Sequence, residues 1–249
     1  MKLTLLDIVQ EILSDMDSDE VNSFSDTVES EQVATIVRST YLAMMANRNW
    51  PHTRQGLQLS PTTDSSRPTH MVVVGAVKEL CFVNYDTKKF GEAKNVFTEM
   101  VYLQPEEFLR KANSIDETKS NAQLITDESG ISFSVRNDTA PAYYTSFNDQ
   151  DLVFDSYDST VDSVLQESKV QAQAYIMPGW TMEDSFIPDL PDMAFPSLVE
   201  EAKAKAMFKL KQMVDQKAEQ EATRQRRWLS RKARRVNGLI QYPDYGRRR

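Results

Sequence analysis

The chain has 249 residues and a formal net charge of −8 at neutral pH, with 40% apolar and 27% charged residues. This composition is typical of a folded protein in water. Its single cysteine, Cys81, excludes an internal disulfide and fits a reducing cytoplasm. Asp7 and Glu11 interrupt the apolar N-terminus, so we expect no signal peptide, and no run approaches the roughly 18 apolar residues of a membrane helix.

Two helices are predicted in residues 1–54. Thr4, followed three residues later by Asp7, resembles a capping box, and the apolar residues after it recur at helical spacing: Leu5, Ile8, Val9, Ile12 and Leu13. The acidic stretch 14–30 is predicted to be a solvated linker before a second helix from about Glu31 to Arg48. Trp50 precedes a proline and so ends this helix. We predict that Trp50 is a buried anchor.

Residues 55–180 are predicted to form a β-rich domain, because short β-branched and aromatic runs alternate there with turn residues. Cys81, inside one such run, is predicted to be a small core residue. Pro105–Leu109 is predicted to be a short helix. The predicted strands are Met71–Val74, Leu80–Tyr85, Val96–Leu103, the hairpin Leu124–Thr126 with Ile131–Val135, the hairpin Tyr143–Phe147 with Leu152–Phe154, and Val164–Ile176.

A proline-rich connector leads into the longest periodic segment, which predicts one helix from Ser197 to about Arg235. Its apolar stripe fades after Ala222, so we expect another subunit or partner to hold the remainder. The predicted fold class is α+β: N- and C-terminal helices form a helical bundle around a central β-rich domain, with an extended C-terminal arm. The four predicted parts are an N-terminal helical part (1–54), the β-rich domain (55–180), the long helix that completes the bundle (181–223) and the basic C-terminal arm (224–249).

The last 26 residues, Arg224–Arg249, carry ten Lys/Arg against one carboxylate, whereas the other 223 residues carry 36 acidic and 19 basic side chains. Arginine with interleaved aromatic residues suits protein docking, and it also suits phosphate neutralisation and base stacking on nucleic acid. A solvated tail is the third alternative. The candidate partner-binding residues are Arg224, Arg227, Trp228, Leu229, Arg231, Lys232, Arg234, Arg235, Tyr242 and Tyr245.

Catalytic and metal-binding patterns are weak in this sequence. His52 and His70 have no cysteine, histidine or acid at metal-ligand spacing, and a lone histidine is usually a surface or loop residue. The acidic cluster Asp149, Asp151, Asp155, Asp158 and Asp162 suggests a metal-dependent hydrolase only as a minor alternative. We therefore expect no enzymatic activity, no cofactor and no metal site.

Several segments together resemble tail tubular protein A, the family of head-to-tail adaptor ("gatekeeper") proteins of tailed phages. The second helix ends in Arg48-Asn49-Trp50-Pro51, with Asn49 where that family has glycine, and Leu57-Gln58-Leu59 follows. The other similar segments are Pro105–Leu109, Ala142–Phe147, Leu152–Asp158, Phe195–Leu198 and Trp228–Lys232.

This resemblance implies a structural connector that is not an enzyme. Adaptors of this family form rings of twelve subunits under the portal, helices pack around a β-rich domain, and the C-terminal arm binds the portal. DNA passes through the ring without sequence-specific binding. The expected partners are further copies of the chain, the portal, and a tail nozzle or tail tube protein. The expected location is the head-to-tail junction of the virion, after assembly in the host cytoplasm. A nucleic-acid-binding protein that uses the basic tail is the rival interpretation.

Overall fold

A computed structural model describes residues 2–62, 64–88, 94–116, 118–161, 165, 169–213 and 216–236, with the side chains of 228 and 230–236 excepted. The chain has an α+β fold. Its contacts divide it into two units, a helical unit of Met1–Thr53 with Met177–Arg249 and a β unit of Arg54–Ile176. Both ends of the chain therefore belong to the helical unit.

The helical unit starts with α1 (Leu5–Asp15) and α2 (Val28–Ala46). Thr4 and Asp7 form the predicted capping box, and the apolar face that follows is fully buried. Thr27 and Ser30 form a second capping box, so α2 begins three residues earlier than predicted. Trp50 is buried as predicted, and its Nε1 donates to the carbonyl of Met44 at 3.1 Å.

The predicted single C-terminal helix is wrong, because the structure has α4 (Phe195–Lys211) and α5 (Gln216–Val236) instead. α4 ends at Gln212, a left-handed residue with φ 54° whose N–H bonds to the carbonyl of Met207. α5 then folds back along α4. The 3-10 turn Asp192–Ala194, just before α4, contacts α5. The turn between α4 and α5 therefore lies at one end of the helical unit, and the start of α4 lies at the other end. We call this pair of antiparallel helices the α4–α5 hairpin.

The β unit contains β1 (Arg54–Leu57), β2 (Leu59–Pro61), β3 (His70–Val73), β4 (Val77–Asp86), β5 (Phe97–Glu99), β6 (Val101–Tyr102), β7 (Ala122–Thr126), β8 (Ser132–Arg136), β9 (Tyr143–Thr145), β10 (Asp151–Phe154) and β11 (Val170–Ile176). One sheet has the order β1-β11-β4-β5, a second has β2-β3-β10-β9-β6, and β7 pairs with β8. β6 and β9 are parallel, and the other pairs are antiparallel.

Two chain segments switch between the larger sheets. Arg54–Pro61 contributes β1 to one sheet and β2 to the other, and Phe97–Tyr102 contributes β5 and β6 in the same way. The predicted strand Val96–Leu103 is therefore two strands, divided at the buried Met100. Because the outermost strands of both sheets belong to the same two segments, the sheets share their edges and enclose one core.

Three phenylalanine rings pack together in the β unit: the buried Phe108 of α3 (Pro105–Ala112) and Phe133 of β8, and the partly buried Phe147 beside them. Their ring centroids lie 5.7–6.2 Å apart. Both predicted hairpins are present. Cys81 is half-buried rather than a core residue, because its position on β4 is only partly covered.

Candidate functional site

Helix α5 carries most of the residues predicted to dock a partner. Arg224 and Arg227 are exposed, as is Arg226 between them. The other predicted docking residues up to 235 lie on the same helix: Trp228, Arg231, Lys232, Arg234 and Arg235, with their side chains outside the described residues. Tyr242 and Tyr245 also lie outside the described residues. In the described part, the exposed residues of the predicted docking surface are Arg224 and Arg227, with Arg226 between them.

Leu229 corrects one expectation about this surface. It is only 5% exposed and belongs to the core of the helical unit, so it is not available to a partner. Ala218, also buried, lies eleven residues earlier on the same side of α5. The apolar face therefore continues past Ala222, and the chain's own helical unit covers it. Residue 224, predicted as the start of a separate arm, lies inside a continuous helix.

Arg48 anchors this part of α5 from the other end of the chain. Its Nη2 donates to the carbonyl oxygen of Leu229 at 2.7 Å, and its guanidinium carbon lies 4.9 Å from the centroid of the Trp50 ring. Burial lowers the pKa of the Arg48 guanidinium, which nevertheless stays charged at every physiological pH. The basic helix is thus positioned by a charge-assisted hydrogen bond as well as by packing.

The N-terminal part of the helical unit has the opposite charge. Residues 3–37 contain nine carboxylates and no lysine or arginine. Two of these acids pair with α4: Asp15 with Lys203 at 2.6 Å and Glu29 with Lys211 at 3.1 Å. Those ion pairs join the end of α1 and the start of α2 to α4. The acids of the segment between α1 and α2, Asp17, Asp19, Glu20 and Asp26, are exposed, as is Glu31 of α2.

Three of the five aspartates proposed as a minor metal site accept hydrogen bonds from nearby residues. Asp155 accepts the N–H groups of Ala142 and Tyr143, at 2.9 and 3.0 Å, and Asp158 accepts from Thr160. Asp151 accepts from Asn148, and Asp149 occupies a left-handed turn with φ 58°. Asp162 lies outside the described residues. Among the residues that the structure describes, no group of three or more His, Cys, Asp or Glu could hold a metal ion.

His70 is the polar residue that sequence reasoning misjudged. It is 2% exposed rather than a surface or loop residue, and its Nε2 lies 2.9 Å from Oδ1 of Asp127. Burial lowers the pKa of His70 although Asp127 favours its charged form. Burial would raise the pKa of Asp127, but the hydrogen bonds from Ser129 and His70 bring it below its ordinary value. At neutral pH the pair is therefore a neutral imidazole that donates to a carboxylate.

Comparisons with known proteins leave the family open. No family model and no curated protein matches the sequence. Among the described helices, none is long and apolar enough to cross a membrane.

Proposed function

We propose that this chain is a structural head-to-tail adaptor of a tailed phage, whose copies form a ring that joins the portal to the tail and lets DNA pass. The observation that carries the proposal is the helical unit. Both chain ends build it, and its last helix exposes Arg224, Arg226 and Arg227 while Leu229 holds that helix on the core. A connector needs such a rigid body with a docking surface of its own.

The segments that resemble the adaptor family lie at the boundaries of structural elements. Trp50-Pro51 lies between α2 and β1, Phe195-Pro196 opens α4, and Pro105 opens α3. Leu152–Phe154 forms most of β10, a central strand of its sheet. At such positions the residue type decides where a helix starts or how a strand packs. Similar residues there would therefore produce similar elements, which supports the resemblance.

The charge distribution supports a ring whose central channel lets DNA pass. Outside Arg224–Arg249 the chain has 36 acidic and 19 basic side chains, and acidic walls repel the phosphate backbone of passing DNA. In this proposal the basic segment binds protein, namely the portal, and the ring contacts a tail nozzle or tube protein on its other side. A ring of twelve copies, a place in the virion, and the lack of enzymatic activity belong to the same proposal.

Negative-stain electron microscopy of the full chain, alone and with portal, tests the proposal. We expect a ring at the base of the portal. The variant Arg224→Glu with Arg227→Glu should lose portal binding, because it reverses the exposed charge without touching the buried face of α5. The variant Arg110→Glu with Lys119→Glu makes the same net charge change at two exposed cations of the β unit and is the matched control. Equal portal binding by both variants would contradict the proposed docking surface.

The exposed arginines of α5 also favour one second candidate, a nucleic-acid-binding protein. Three arginines within four residues could each neutralise a phosphate, which makes affinity fall steeply with salt. Titration of a labelled DNA duplex at two or more salt concentrations separates the candidates. Tight, strongly salt-dependent binding that disappears in Arg224→Glu with Arg227→Glu would favour nucleic acid over the portal.

A further inference from the structure

The end of the helical unit where α4 turns into α5 exposes large apolar side chains. Val28 is 71% exposed, Met213 66% and Phe208 63%, and these are the three most exposed large hydrophobic residues in the described part of the chain. Val28 opens α2, Phe208 lies in the last turn of α4, and Met213 lies in the turn between α4 and α5. Clustered exposed apolar residues mark interaction surfaces in soluble proteins.

A groove crosses this end between the first turns of α2 and the last turns of α4. Val28, Ile36 and Leu210 give it an apolar lining, and Glu31 lies on its rim. The ion pair between Glu29 and Lys211 joins the two helices beside it. The groove is thus a fixed feature of the packing between two helices, and we call it the α2–α4 groove.

The two sides of the α2–α4 groove differ in charge. The side near the start of α2 carries the exposed acids Asp26 and Glu31, whereas the α4 side carries Lys209, with Lys211 paired to Glu29. Among the described residues, neither of these two acids has a lysine or arginine partner within ion-pair distance. A ligand that fits both the lining and the rim is an apolar peptide with positive charge.

The chain itself contains such a peptide. The 13 residues after α5, Asn237–Arg249, include four large apolar or aromatic side chains, Leu239, Ile240, Tyr242 and Tyr245, and end in three arginines. We propose that the α2–α4 groove binds the C-terminal segment 237–249 of a second copy of this chain. The aliphatic and tyrosine side chains contact the lining, and the terminal arginines pair with Asp26 and Glu31.

The distance that the C-terminal segment can span shows whether it binds the groove of its own copy or that of a second copy. α5 starts beside the groove and runs away from it for 21 residues, or about 30 Å at 1.5 Å per residue. Extended chain covers at most about 3.3–3.6 Å per residue, so Tyr242, six residues after Val236, reaches back only about 20 Å. The apolar residues Leu239 to Tyr242 therefore cannot enter the groove of their own copy, whereas the groove of a neighbour is open to them.

Groove and segment are different surfaces, so copies that bind head to tail repeat the same heterologous contact and can close a ring. The inference thus rests on the proposed function for the claim that copies form a ring, and it names the contact between them. It also divides the basic region. Residues 237–249 bind the neighbour, and the exposed arginines of α5 remain for the portal.

Photo-crosslinking in the full chain tests this contact directly. Tyr242 is replaced by the photoreactive residue p-benzoylphenylalanine, unlabelled copies are mixed with isotopically heavy copies, and the products are mapped by mass spectrometry. We expect cross-links that join a heavy to a light copy, between the C-terminal segment and peptides containing Val28 or Leu210. Cross-links confined to single copies would overturn the inference, because the segment would then bind its own copy.

Variants of residues in the groove provide a second test of the contact. Val28→Asp and Glu31→Lys should each lower the yield of inter-copy cross-links about tenfold, the effect of losing one well-packed contact. Both residues are exposed, so the fold should persist. Leu124→Asp, a change at a 59% exposed leucine of the β unit, is the matched control and should have no effect. An unchanged yield in both groove variants would refute the groove as the receptor.

The two proposals can fail separately. If copies still form a ring on the portal but the segment cross-links only to portal, the adaptor function stands and the groove inference is wrong. If inter-copy cross-links form through the groove but no ring is seen on the portal, the inference stands and the adaptor function is wrong.

Discussion

The buried pair His70–Asp127 connects two parts of the β unit. His70 opens β3 in the five-stranded sheet, and Asp127 lies in the turn between β7 and β8, where its carboxylate also accepts from the backbone and hydroxyl of Ser129. A second contact runs parallel to it, from Arg67 to Glu128 at 2.6 Å. The pair therefore fixes the β7–β8 hairpin on the sheet.

Replacing His70 by phenylalanine keeps the ring beside Phe133, whose centroid lies 6.2 Å away, and removes only the polar contact. Asp127 then keeps its bonds from Ser129 but loses one donor in a buried position. We expect the variant to lose about 1–3 kcal/mol of stability at neutral pH, the usual cost of leaving a buried polar group without one partner. A complete loss of folding is not expected, because the volume of the site is nearly conserved.

The pH dependence of stability gives a sharper test. Burial lowers the folded-state pKa of His70 below its ordinary value of 6.5, so the folded protein disfavours the imidazolium. As pH falls below about 6.5 the unfolded chain binds a proton that the folded chain does not, and stability falls until the folded pKa is passed. The lowered pKa of Asp127 adds a further loss below its ordinary value of 3.8. His70→Phe should abolish the first loss and reduce the second, because Asp127 then keeps only the hydrogen bonds from Ser129.

The effect of pH on the β unit needs a probe that lies in that unit. Tryptophan fluorescence is unsuitable, because all three tryptophans, Trp50, Trp180 and Trp228, lie in the segments of the helical unit. Hydrogen exchange of the β3, β7 and β8 amides, measured at several pH values between 5 and 8, reports on the hairpin. Protection factors, which are exchange rates corrected for the intrinsic pH dependence of amide exchange, should fall at low pH in the wild type but not in His70→Phe. Equal pH dependence in both proteins would refute this prediction.

Three further predictions concern the helical unit. Trp50→Ala should cost about 3–5 kcal/mol in urea unfolding, because it leaves a cavity in the core and frees the carbonyl of Met44. Gln212→Gly should raise the melting temperature slightly, because a left-handed residue with a Cβ costs about 1 kcal/mol, whereas Gln212→Val should lower it. A chain ending at residue 236 should melt near the wild type, whereas one ending at 223 should melt lower, because it lacks Leu229. Equal melting of the two truncations would contradict the anchored helix.

Local signals in the sequence predicted most elements correctly. The capping box at Thr4, the proline at the start of α3, and the turn residues between β7 and β8 act within a few residues, and the structure has each element where its pattern indicates. The burial of Trp50 also follows from a local signal, because a large aromatic residue ends an amphipathic helix there. The α+β class could therefore be predicted without any comparison.

Features that depend on distant residues could not be predicted in this way. His70 and Asp127 are 57 residues apart, and nothing near His70 in the sequence indicates an acid partner. The break between α4 and α5 has no glycine or proline, so helix propensity alone favours one continuous helix. The helices turn back because packing along α4 buries Ala218 and Leu229, which outweighs the cost of one left-handed residue at Gln212.

The anchoring of α5 changes how partner binding should be understood. A free arm would have to order its backbone on binding, at about 1–2 kcal/mol per residue, and its arginines alone could hardly offset that cost at physiological salt. Arg224 and Arg227 already lie on a helix that Leu229 and the Arg48 hydrogen bond hold in place, so their positions require no such ordering. Ordering costs then apply mainly to residues after Val236. Those residues include Leu239, Ile240, Tyr242 and Tyr245, whose side chains supply contact energy that salt does not screen.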